Sequence, residues 1–200
     1  MGQQRSGVFE SVKNGLVNTI EGTGDVVQAV VDTTASTIAA TLKGTGKSGA
    51  AGIEAITDVA RGVIHGAREV GGDLGEAAKG TVIGVLRGTH EAGSQAVETI
   101  GRTSGAVITG TAEVGGDVGT AAKGLVSGAI SGAKEVGVGA ETAAAAAASG
   151  PLDAAGKVGS KAVEKVRNAL TGTIDGVKVV LREPFRSDDP SDRNDRRSAR

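Results

Sequence analysis

Apolar positions return along this chain every 22 residues. Written in lines of 22 from residue 7 to residue 182, the sequence gives eight lines whose columns agree. The fourteenth column reads Ile20, Leu42, Ile64, Leu86, Ile108, Ile130, Leu152 and Ile174, although Ile and Leu together supply only 18 of the 200 residues. Twenty-two is twice eleven, and eleven residues make three turns of a helix wound at about 3.67 residues per turn, so such a period holds one stripe on one face. The pattern therefore predicts an all-α chain of tandem 22-residue amphipathic helical repeats. Strands would demand alternation, which is scarce.

Projected at that pitch, the apolar arc joins column fourteen to Leu16, Ile38, Val82, Val126 and Leu170 and to Val26, Val70, Val114, Val136 and Val158. Opposite it fall acidic residues, among them Glu69, Glu91, Glu113 and Glu135, which share one column. One flank is basic, with Lys13, Arg68, Lys79, Lys123 and Lys134. The other flank is small. Gly22, Gly44, Gly66, Gly88, Gly110, Gly132 and Gly176 occupy column sixteen, broken only by Ala154, and Gly84 and Gly128 lie one turn before. Runs such as Gly80, Gly84, Gly88 and Gly124, Gly128, Gly132 form a glycine zipper of the kind that lets helix backbones approach closely.

Two geometries satisfy this pattern. In the first, GlyGly at 71–72 and 115–116 are turns, Asp73 and Asp117 cap the following helices, and Asp73 with Glu76 makes a capping box. The chain then folds as antiparallel helical hairpins, each helix about 30 Å long. A 44-residue recurrence, AREVGGDLGEAAKGTVIG from Ala67 and TAEVGGDVGTAAKGLVSG from Thr111, suits paired units of this sort. In the second, the repeats form one long helix lying on a surface. Either way a partner surface is required, because three or four glycines per repeat cost roughly 3 to 4 kcal/mol of helix propensity. Outside the repeats lie a flexible head, residues 1–6, and a tail, residues 183–200, with ten charges, two prolines and no glycine, expected to be disordered. The Ala143–Ala148 run followed by Ser149, Gly150 and Pro151 reads as the end of one helical stretch.

Composition narrows the chemistry. There is no cysteine, so thiol nucleophiles and thiolate metal sites are excluded, and His65 and His90 fall in different columns without a third ligand type beside them. A net charge of −1 and only Phe9 and Phe185 as aromatics argue against nucleic-acid binding. GTGKS at 44–48 resembles the end of a phosphate-binding loop, but Thr41 stands where that loop needs glycine. MGQQRS fits the myristoylation pattern through Gly2 and Ser6. No cofactor, metal or small-molecule substrate is expected, and no enzymatic activity.

The 11/22-residue register and phrases such as GAKEVG and EAAKG resemble the amphipathic repeat proteins: synucleins, exchangeable apolipoproteins, perilipins and late-embryogenesis-abundant proteins. They are also similar to uncharacterised Gly/Ala/Val-rich repeat proteins of bacteria. The resemblance implies a helix that forms on lipid or on drying. The expected function is that of a structural protein in the cytoplasm, peripheral to a membrane, lipid or granule surface, which it binds through the column-fourteen stripe. The alternatives are a self-assembling glycine-zipper scaffold or filament, hence a homo-oligomer, and a stress protectant.

Overall fold

In the computed structural model the chain is a stack of short helices. The structure describes residues 2–23, 25–45, 50–92, 96–179 and 181. Eight helices lie within them: α1 (Gly2–Thr23), α2 (Val26–Thr45), α3 (Ala50–Glu69), α4 (Leu74–Glu91), α5 (Ala96–Glu113), α6 (Val118–Val136), α7 (Ala140–Val158) and α8 (Ser160–Leu170). A two-stranded antiparallel hairpin follows, β1 (Gly172–Ile174) with β2 (Val177–Val179). The fold class is all-α, and of the two geometries above the chain adopts short helices that turn back on themselves.

The turns show why. At Gly71 and Gly115 the backbone is left-handed, with φ of 71° and 68°, a region glycine enters without steric cost. Gly71 N–H donates to the Arg68 carbonyl and Gly72 N–H to Ala67; Gly115 and Gly116 repeat this pattern on Ala112 and Thr111. These are paired Schellman closures, which satisfy carbonyls that the helix end leaves free. Directly afterwards the Asp73 carboxylate accepts the Glu76 N–H at 2.8 Å, and Asp117 accepts Thr120 N–H at 2.9 Å. Each aspartate thus starts the next helix within two residues of the last turn.

Neighbours in space are helices two apart in sequence. The odd helices α1, α3, α5 and α7 form one layer, and the even helices α2, α4, α6 and α8 the other. Within a layer the helices run parallel: Gly80, Gly84 and Gly88 of α4 meet, in that order, Val27 and Val30, Val31 and Thr34, and Ala35 and Ile38 of α2. Successive helices cross between layers and run antiparallel, as their short connections require. Between the layers lies a core of Ala, Val, Ile and Leu.

Three boundaries differ from the sequence expectation. Helix α1 starts at Gly2, so there is no separate head ahead of residue 7 in the backbone. Helix α7 continues through Pro151, which is buried inside it. Proline removes one intrahelical donor, but six alanines from Ala143 to Ala155 are buried along this helix and hold it against its neighbours. The eighth line is only half helical: after Leu170 it becomes the β1–β2 hairpin. Asp175 and Gly176 form its two-residue turn, with φ of 47° and 82°, the sign that a type I′ turn requires at both positions. The tail, residues 183–200, lies outside the described residues.

Candidate functional site

The column-fourteen side chains face inward. Ile64, Leu86, Ile108 and Ile130 expose no surface, Ile20, Leu42 and Ile174 are buried, and Leu152 is half-buried against the same core. A surface-binding role for this stripe is therefore not available to the folded chain, because adjoining helices already cover it. Among the described residues Val158 is the one large hydrophobic side chain that stands exposed, at 47%.

The glycine columns mark helix crossings. A Cβ on Gly88 would lie 2.6 Å from the Ala35 carbonyl oxygen, on Gly84 2.6 Å from Thr34 Cβ, and on Gly66 3.0 Å from the Lys13 carbonyl. Gly128 abuts the Lys79 carbonyl, Gly132 lies over Leu86, and Gly110 rests in ordinary contact with Arg61 and Ile64. Others of the set lie elsewhere. Among the described residues a Cβ on Gly44 would meet nothing within 4 Å, and Gly176 turns the hairpin; the surroundings of Gly22 are outside the described residues. Sequence reasoning missed the two tightest approaches, Gly124 on Gly75 and Gly150 on Gly101, because Gly75, Gly101 and Gly150 lie outside the runs that define the stripe.

Polar side chains tie the same crossings from outside. A glutamate of the acidic column reaches back to a cation on the preceding helix of its layer: Glu69 to Lys13 at 3.3 Å, Glu113 to Arg61 at 2.6 Å and Glu135 to Arg87 at 2.7 Å. His65 adds a second contact to Glu113 at 3.3 Å, while Phe9 of α1 meets the His65 ring edge-on at 5.2 Å. Between α6 and α8 the signs are exchanged, and Lys165 donates to Asp117 at 2.7 Å. Ser127 of α6 donates to Asp175, pinning the hairpin turn.

These pairs give stability a pH dependence. Burial pushes the Glu113 carboxyl up, but hydrogen bonds from Arg61 and His65, with their charges, outweigh it and hold the group below the ordinary carboxylate range. Asp117 is held low by Lys165 and by the Thr120 N–H. A carboxyl lowered by folding stabilises the fold above its unfolded pKa, and loses that contribution as pH falls through the folded value. Both side chains are partly exposed, 36% and 50%, so solvent screening limits each to about 0.5 kcal/mol. The melting temperature should fall on acidification below the ordinary carboxylate range. Glu113→Gln with Asp117→Asn should flatten part of that slope, Asn being as good a helix cap as Asp. An unchanged slope in the double variant would remove these pairs as its source.

Among the described residues two crossings within a layer, α2–α4 and α5–α7, have no such ion pair. Between α5 and α7 a groove of about 480 Å³ opens, bordered by Thr57 of α3. Its floor is Gly101, Gly105, Ala106, Gly150 and Ala154, and its rim carries Thr109, Ser149, Arg102, Asp153 and Lys157. The last three are exposed, and none is paired with another described residue. His90 is exposed too, on the last turn of α4. Among the described residues no group of three metal-ligating side chains comes together, and no helix is long and apolar enough to cross a membrane. The GTGKS string lies partly outside those residues. Compared with known proteins, the chain matches no family model and no curated sequence.

Proposed function

We propose that the chain is a non-enzymatic structural protein, a self-supporting stack of helices that acts as a scaffold. One observation carries this reading. The apolar stripe and the glycine flank, the two features that ask for a partner surface, are both taken up within a single chain. The glycine runs act as zippers between parallel helices of one molecule, each 22-residue line supplies one step of the stack, and charged residues lace helices two apart together within a layer. What remains for partners is a polar outer surface on a fixed frame.

Peripheral association with a membrane or granule through column fourteen would need the helices to part, and assembly between copies would need the glycine flank to be free. Circular dichroism with and without vesicles, alongside light scattering, separates these. The scaffold should be strongly helical in buffer, melt cooperatively, scatter as a monomer and ignore both neutral and anionic vesicles. Low helicity in buffer that rises with vesicles would replace this reading with lipid association. A multiple of the monomer mass at micromolar concentration would replace it with self-assembly.

A further inference from the structure

The α5–α7 crossing has no ion pair, and its charged residue in the acidic column has the opposite sign to that of three crossings that do. Elsewhere in the odd layer the downstream helix supplies a glutamate and the upstream helix a cation, as in Glu69 to Lys13 and Glu113 to Arg61, and the even layer repeats this with Glu135 and Arg87. In α7 the acidic column holds Lys157 instead. By the spacings of those three pairs, the positions on α5 that would carry its partner are Gly101, Gly105 and Thr109, all uncharged and all lining the groove. A cation thus stands where those three crossings have a carboxylate, facing positions on α5 that carry no charge.

The rest of the rim has a definite polarity. Thr109 Oγ1 donates its hydrogen to the Gly105 carbonyl and Ser149 Oγ donates to Ala146. Toward the groove both hydroxyls can therefore only accept. Asp153 accepts as well, while Arg102 and Lys157 are cations on opposite walls. A complementary ligand carries N–H donors along its length and a carboxylate within reach of the two cations. The floor suits a main chain, since Gly101, Gly105 and Gly150 present no side chain. The α5 wall from Gly101 to Thr109 runs about 12 Å at 1.5 Å per residue, the span of a few extended peptide units. We infer that this groove binds an acidic peptide segment, its amides on Thr109, Ser149 and Asp153 and a carboxylate between Arg102 and Lys157. Inorganic phosphate or a polyphosphate brings the charge but lacks the donors.

The inference goes beyond the scaffold reading and rests on the fold alone. Its test is titration of the full chain with fluorescently labelled hexaglutamate, with a labelled Gly/Ser hexapeptide and tripolyphosphate as comparisons. Saturable one-to-one binding of hexaglutamate, at least about tenfold tighter than either comparison, is expected. Reversing both charges with Arg102→Glu and Lys157→Glu should weaken it about tenfold or more, both contacts being exposed ones. A second variant guards against a folding failure: Gly105→Arg with Lys157→Glu installs the tie of the α3–α5 crossing. A Cβ at Gly105 comes no closer than 3.4 Å to the Gly150 carbonyl, so the site has room. That protein should melt no lower than the parent and yet lose hexaglutamate. Absence of saturable binding by the parent, equal binding of tripolyphosphate, or full binding by the retied variant would each overturn the assignment. None of these outcomes bears on helicity or mass in buffer, which decide the scaffold reading separately.

Discussion

Changing Ile64, Leu86, Ile108 and Ile130 together to serine should leave the chain unfolded in buffer at 25 °C. These residues come from α3, α4, α5 and α6, the middle of the stack, and none exposes any surface. Truncating one buried Leu or Ile to alanine costs about 2 to 5 kcal/mol, through lost burial and the cavity left behind. Serine adds a hydroxyl to an apolar site. Four such losses sum to about 8 to 20 kcal/mol, a match for the whole of the roughly 5 to 15 kcal/mol by which domains are stable. Loss of the far-ultraviolet helical signal is the readout, with Val158→Ser as the control that should change nothing. The alternative outcome is equally definite. If the quadruple variant keeps its helicity and its melting transition, these side chains do not form the core, and the stripe is free to serve a surface after all.

Much of this architecture was legible because a period survives any number of local exceptions. Column fourteen marked eight segments, and eight helices begin within a few residues of the line starts. The GlyGlyAsp phrases at 71–73 and 115–117 marked two turns, since few other sequences supply a left-handed residue and then an N-cap. What covers the stripe was not legible. A helix stripe looks the same whether lipid, another copy or the next helix lies over it, and the choice depends on contacts between helices some 50 residues apart. The acidic column was equally visible, but its partners Lys13, Arg61 and Arg87 could be assigned only once helices two apart were seen to lie parallel.

Elsewhere the period itself concealed signals. Asp175-Gly176 between Thr173-Ile174 and Val177-Lys178-Val179 is a strong hairpin signature, but Ile174 and Gly176 also fit columns fourteen and sixteen. Pro151 after an alanine run argues for a helix end, yet buried contacts along α7 override that local preference. Of the groove, only the substitution of Lys157 for the column's glutamates was written in the sequence. Its meaning depends on Gly101, Gly105 and Thr109 being the residues opposite.

The second large effect concerns glycine, and its sign should differ between two helices. Gly15 lies inside α1 with nothing within 4 Å of where a Cβ would go, so alanine there should stabilise the fold by about 1 kcal/mol through helix propensity. Gly128 lies inside α6 against α4, where a Cβ would abut the Lys79 carbonyl and come within 3.0 Å of Lys79 Cα. Here the neighbour is backbone and cannot rotate aside. Leucine at Gly128 must drive α4 and α6 apart along their crossing, and overpacking of this kind costs about 3 kcal/mol or more. For a chain of this length 1 kcal/mol corresponds to about 2 to 4 °C. Thermal melts should therefore show Gly15→Ala a few degrees above the parent, and Gly128→Leu roughly 6 to 12 °C below it. Were the glycine flank used between copies instead, Gly128→Leu would leave the melting of the monomer unchanged and lower only the assembled mass. A melting temperature that stays at the parent value would mean that α4 and α6 do not touch through Gly128, and the parallel stacking within the even layer would have to be given up.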